Sequence, residues 1–134
     1  MNKQQLVTRR QAIKLKQLGF HDKTCAYTHE NAQDLNVRFS YPYDHNRWYA
    51  EMKERPFISV PTVYEALDWL NAKKSNQVLT IIPAFTHGKW YISCRKLYVD
   101  GSGFAAYRIG KLYSNKYAAY REAINILIKE YEKH

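Results

Sequence analysis

Three of the five histidines stand beside acids, as His21-Asp22, His29-Glu30 and Asp44-His45, and Cys25 falls midway between His21 and His29. Imidazole and thiolate together bind zinc, and imidazole with carboxylate is the usual equipment of acid–base catalysis. The spacing His21-x3-Cys25-x3-His29 is the regular feature of this group. Residues 24–28 read as a strand, however, and four residues of strand span about 13 Å, too far to share one ion. A hydrolase or nuclease would have to gather His29, Glu30, Asp44 and His45 into one concave site. Cys94 with His87 is the other conceivable nucleophile and base. Alternation places Cys94 beside Trp90 and Ile92, on the inward side of a strand, which argues for an inert thiol. No phosphate-cradling glycine loop, GxSxG, HExxH, EF-hand loop or dinucleotide fingerprint occurs. The expectation is a protein without catalytic residues, cofactor or metal.

Basic and aromatic residues interleave in two places. The first is Arg38, Phe39, Tyr41, Tyr43, His45, Arg47, Trp48, Tyr49, Lys53 and Arg55; the second is Lys89, Tyr91, Arg95 and Lys96. Aromatic planes stack on bases while guanidinium groups hold phosphates, so Arg38, Arg47, Lys53, Arg55, Tyr91 and Arg95 are candidate nucleic-acid contacts. Large rigid aromatics also anchor protein interfaces, which makes Tyr43, Trp48 and Tyr49 candidates for holding a protein partner.

The elements that must position these residues are legible from periodicity. A first helix starts near residue 3 or 9 and ends at Leu18, with Leu6, Ala12, Ile13 and Leu18 as its apolar positions. Thr8 with Gln11, or Asn2 with Gln5, supplies a capping box, and Gly19-Phe20 a stop. Strands follow over 24–28 and 36–41, then an aromatic, charged loop over 42–56 and a short extended piece over 57–60. Pro61, Thr62 and Glu65 open a second helix whose stripe is Val63, Ala66, Leu67 and Leu70. Three strands over 77–85, 89–99 and 104–113 are joined by hairpin residues, and Pro83 pushes the first of them towards a sheet edge or a bulge. A last helix starts at Ser114 or Asn115 and carries Tyr117, Tyr120, Ile124, Leu127 and Tyr131. The order α-β-β-α-β-β-β-α predicts an α+β fold, a mainly antiparallel sheet covered by helices. No linker or internal repeat interrupts it, so one domain over 1–134 is expected.

Composition bounds the rest. The chain has 134 residues, 46% apolar and 25% charged, which excludes disordered, collagen-like and coiled-coil classes. No apolar run is long enough for a membrane span or a secretory signal, and two cysteines without a CxxC pair suit reduced thiols in the cytoplasm. The net charge is +9, and residues 1–20 hold five cations and no acid.

Four pieces of sequence carry a resemblance. They are Leu15-x-x-Leu18-Gly19-Phe20 followed by Cys25-Ala26-Tyr27; Val60-Pro61-Thr62-x-x-Glu65-Ala66-x-Asp68-Trp69-Leu70; Lys89-Trp90-Tyr91; and Tyr120-Arg121-Glu122-Ala123. Together they resemble a family of small uncharacterised proteins encoded by phages, prophages and mobile elements of Bacteroidetes-type bacteria. The resemblance implies a compact domain acting as an accessory factor, and no catalytic residue. The leading expectation is therefore a small non-enzymatic binding protein with a protein or nucleic-acid partner. A nucleic-acid-binding protein using its basic and aromatic surface is the first alternative, and a small hydrolase or nuclease the second. Self-association into a homodimer, through the last helix or a sheet edge, is a further expectation.

Overall fold

Thr8 and Gln11 form a reciprocal capping box: the Gln11 amide donates to Thr8 Oγ1 at 3.2 Å and the Thr8 amide to Gln11 Oε1 at 3.0 Å. In the computed structural model, which describes residues 2–31, 36–46, 57–73, 79–98 and 100–133, this box opens helix α1, Arg9–Gln17. A short 3₁₀ turn, Lys3–Gln5, precedes it, capped by Asn2. The helix thus starts at the later of the two sequence signals, while Asn2 accepts from the Gln4 amide and caps only the 3₁₀ turn. Helix α1 ends as Gly19 and Phe20 predict. Gly19 takes φ +95°, and the Phe20 amide bonds the Leu15 carbonyl at 3.0 Å while the Gly19 amide bonds that of Lys16 at 3.1 Å. This is a Schellman stop, which glycine permits because it has no Cβ to clash. The buried stripe differs from the expected one: Gln11, Ala12 and Leu15 are its centre, Ile13 and Leu18 its margins. Leu6 is buried outside the helix, in a bridge to Thr62.

The strands that follow are β1 (Thr24–His29), β2 (Arg38–Tyr43) and β3 (Phe57–Ser59), in the antiparallel order β2-β1-β3. Two boundaries depart from expectation. Strand β2 runs on through Pro42 and Tyr43, and the extended piece after Pro56 becomes a paired strand, with Tyr27 opposite Ser59 and His29 opposite Phe57. The order is therefore α-β-β-β-α-β-β-β-α, with one strand more than periodicity detects. Three residues are too few to show alternation, so only pairing reveals β3.

Helix α2 (Val63–Ala72) starts at the second capping box, Thr62 with Glu65, whose two bonds measure 2.9 and 3.1 Å. Val63, Ala66, Leu67 and Leu70 are all buried, as their spacing requires. Strands β4 (Leu79–Thr86), β5 (Lys89–Leu97) and β6 (Phe104–Tyr113) form a second antiparallel sheet, and helix α3 (Lys116–Glu132) packs on one face of it. The β4–β5 hairpin closes with His87 and Gly88 at φ +49° and +77°, the doubly positive pattern that follows the twist of the strands. Pro83 lies on an edge strand, β4. Asn115 caps α3 by accepting from the Tyr117 and Ala118 amides. Replacing Asn115 by alanine is expected to cost about 1 kcal/mol of stability, measured by urea denaturation.

The chain divides into two compact units, Met1–Ala66 and Leu67–His134, each with its own sheet. In the first, Leu6, Val7, Leu15, Phe20, Ala26 and Ile58 are buried. In the second, Ile81, Ile92, Ile124 and Leu127 form the centre of the core. Two polar ties hold the second unit's residues 67–72 of α2 to that unit's other elements: Asn71 exchanges two hydrogen bonds with the backbone of Ile81, and the Tyr131 hydroxyl donates to the Leu70 carbonyl. Among the described residues no helix is long and apolar enough to cross a membrane.

Candidate functional site

Alternation along β5 decides which side chains of the second sheet meet α3. Ile92 and Cys94 are fully buried, together with Ile81 and Pro83 opposite them on β4. Tyr91, Ser93 and Arg95 point the other way, as their positions in the sequence imply. The register extends that open face to both neighbours. Thr80, Ile82 and Ala84 stand opposite Arg95, Ser93 and Tyr91, while Ala106 and Arg108 stand opposite Arg95 and Ser93. Phe104 ends the row, opposite Leu97.

Two arginines lie over two aromatic rings on this face. The Arg108 guanidinium is 4.3 Å from the Tyr91 ring centre, and that of Arg95 is 5.3 Å from the ring of Phe104. Such stacking holds the charge in place while leaving it accessible, since a guanidinium is weakly hydrated and planar. On this face Phe104 is 51% exposed and Ile82 42%, and Arg95, Ala106 and Arg108 are exposed as well. Ala84, Ser93 and Ala106 are small, which leaves the rings and guanidinium groups as its raised features.

Charge on this sheet is one-sided. Strands β4, β5 and β6 contain Lys89, Arg95, Lys96, Arg108 and Lys111 and no aspartate or glutamate. The acid nearest in sequence, Asp100, sits in the β5–β6 turn. Its carboxyl pKa is lowered by hydrogen bonds from the Ser102 hydroxyl and amide, so it is spent on the turn.

The other candidates fall elsewhere. Arg38 and Tyr43 lie on β2 of the first sheet, both exposed. Arg47, Trp48, Tyr49, Lys53 and Arg55 lie outside the described residues. Arg108, Phe104 and Ile82 were not singled out by sequence; the alternation of β6 marks two faces, but both carry aromatic and aliphatic residues. Only the register with β5 assigns them.

The histidines and acids of the first unit divide among separate partners. His21 Nδ1 meets Asp44 Oδ2 at 3.1 Å. His45 stacks on Tyr27 at 4.4 Å between ring centres, lies edge-on to Tyr43 at 5.2 Å, and places Nε2 2.9 Å from Ser40 Oγ. His29 packs on Phe57 at 4.8 Å. The Arg9 guanidinium donates to the His29 and Glu30 carbonyls, and Lys16 Nζ to that of Phe57 at 3.0 Å. Two cations of the first helix therefore hold backbone. Among the described residues, no three His, Cys, Asp or Glu side chains are grouped to hold a metal ion, and Cys25 and Cys94 are free thiols.

Partial burial lowers the His45 pKa from its ordinary 6.5, against weaker opposing pulls from the Asp44 carboxylate and the Thr24 carbonyl. The unfolded chain then takes up this proton at a higher pH than the folded one. The stability that His45 contributes is full above about pH 6.5 and is lost as pH falls below it. His45→Phe, which keeps the ring stack on Tyr27, is expected to flatten that part of the decline. Urea midpoints of both proteins at pH 7.5 and 5.5 measure the difference.

Comparison of the chain with models of known protein families, with curated proteins and with solved structures finds no match.

Proposed function

We propose that this is a non-enzymatic binding protein whose ligand is a single-stranded nucleic acid, held on the open face of β4–β5–β6. The observation that carries the reading is the pairing of Arg108 with Tyr91 and of Arg95 with Phe104 on a sheet whose strands hold no carboxylate. Bases stack on an aromatic or a guanidinium plane whatever their identity, and the same arginines neutralise phosphates. A duplex keeps its base faces covered by their neighbours, so a stacking platform favours the single strand. As part of the same proposal, the protein is an accessory factor of a phage or mobile element acting in the bacterial cytoplasm, which is what the resemblance of its four sequence pieces implies. The hydrolase reading finds no support in the first unit, where Asp44 serves His21, His45 serves Tyr27 and Ser40, and His29 serves Phe57.

The test is titration of labelled single- and double-stranded oligonucleotides at low and moderate salt. Preferential binding of the single strand, weakening steeply with salt, is the expected result. Absence of single-strand binding at low salt would overturn the reading.

A further inference from the structure

Edge strands offer unpaired amide and carbonyl groups to any passing strand, and proteins usually blunt them with proline, bulges or brevity. Three of the four edges in the two sheets are blunted in this way. Strand β2 carries Pro42, β4 carries Pro83, and β3 is three residues long. Strand β6 is different. From Phe104 to Ile109 it has neither proline nor irregularity, its bulge begins beyond Ile109, and nothing among the described residues pairs with its outer side.

The direction of its peptide groups follows from the turn. The Tyr98 amide donates to the Gly103 carbonyl at 2.9 Å, so residues 98 and 103 are a hydrogen-bonded pair. Hydrogen-bonded and open pairs alternate along an antiparallel ladder. On the register of β5 and β6, Ala105, Tyr107 and Ile109 bond to β5, and Phe104, Ala106 and Arg108 turn their amides and carbonyls outward.

We infer that β6 pairs antiparallel with β6 of a second copy of this chain, about a twofold axis at Ala106. Opposed residues must share a face, so the sum of their numbers is even. With Ala106 opposite Ala106, Phe104 stands opposite Arg108 of the other copy, and Ala105 opposite Tyr107. The outward peptide groups of residues 104, 106 and 108 then meet as hydrogen-bonded pairs. The open face carries Tyr91, Arg108, the second copy's Phe104 and its Arg95 in one alternating row of ring and cation, repeating the stacking already present within the chain. Each cation is set against a ring and no arginine against another. A small residue faces a large one on the other side. The product is a continuous six-stranded sheet with two platforms side by side. It does not depend on what the platform binds.

Sedimentation equilibrium across a wide concentration range, without nucleic acid, tests it. The expected wild-type result is a reversible dimer of twice the chain's mass. Ala106→Pro removes an outward amide from each copy and leaves the β5–β6 ladder intact, so it should weaken dimerisation about 10- to 100-fold while circular dichroism stays unchanged. A wild-type protein that remains monomeric, or a folded Ala106→Pro variant that dimerises as tightly as wild type, would sink the inference. Should the proline variant not fold, the double variant Cys25→Ser/Ala106→Cys decides. Hydrogen-bonded antiparallel partners lie about 5.5 Å apart between Cα atoms, within disulfide reach. Oxidised glutathione should link it into covalent dimers, and failure to do so rejects the twofold at Ala106.

Discussion

Replacing Arg95 and Arg108 together by alanine lowers the affinity for a single-stranded oligonucleotide about 25-fold at 0.1 M salt. Each phosphate neutralised on a single strand contributes a salt exponent of about 0.7, hence about fivefold per arginine at that concentration. The same variant should reduce the slope of log affinity against log salt by about 1.4. Tyr91→Ala acts differently. It removes a surface on which a base stacks, costing about 1–3 kcal/mol, and leaves the slope unchanged because no charge is lost. Lys129→Ala, exposed on the far side of the second unit's helix α3, is the matched control and should alter neither quantity. Fluorescence anisotropy at several salt concentrations separates the three outcomes. Equal affinities for wild type and the double arginine variant would show that the platform is not where the ligand sits.

The second large effect is on stability. Asn46 is 5% exposed and bridges two segments: its Nδ2 donates to the Phe20 carbonyl at 2.7 Å, and its Oδ1 accepts from the Ser59 amide at 2.8 Å. Asn46→Ala removes both of these buried bonds at once. The Ser59 amide left without its acceptor costs about 1–3 kcal/mol and the lost bond to the Phe20 carbonyl about 0.5–1.5 kcal/mol, so a loss of about 2–4 kcal/mol is expected in urea denaturation at neutral pH. A loss under about 1 kcal/mol would mean that water or a rearranged loop satisfies both groups. The neighbouring His45 amide donates to Ser59 Oγ at 2.9 Å, so two successive residues after β2 are tied to the last residue of β3.

Neither Asn46 nor its partners could be picked out by reading along the chain. Phe20 is 26 residues away and Ser59 is 13, and an asparagine in a polar stretch reads as a turn residue. The capping boxes at Thr8 and Thr62 are the opposite case. Their donors and acceptors lie three residues apart, so residue type and spacing suffice. The charge of the first helix falls between the two. Its cations are obvious as a count, but Arg9 and Lys16 are held by carbonyls 20 and 41 residues distant, which converts part of an apparent binding surface into internal structure.

The candidate site shows the same division. Tyr91 and Arg95 were readable because β5 alternates cleanly, with Ile92 and Cys94 inward. Arg108 and Phe104 join them only through the pairing of β6 with β5, and Ile82 only through β4. The resulting site lies in the second unit, while Arg38 and Tyr43 belong to the other sheet.

The sequence by itself determined what depends on neighbours in the chain: the helix starts and stops, the hairpin turns, the inward face of β5 and the α+β class. Those features rest on bonds spanning a few residues and on the periods of helix and strand. Tertiary structure alone decided that the strands form two sheets, that β3 pairs with β1, and that arginines from different strands stack on rings from others. It also decided which carboxylates and histidines stay apart. Register and distant hydrogen bonds set these, because they are chosen by the packing of whole elements and leave no local pattern to read.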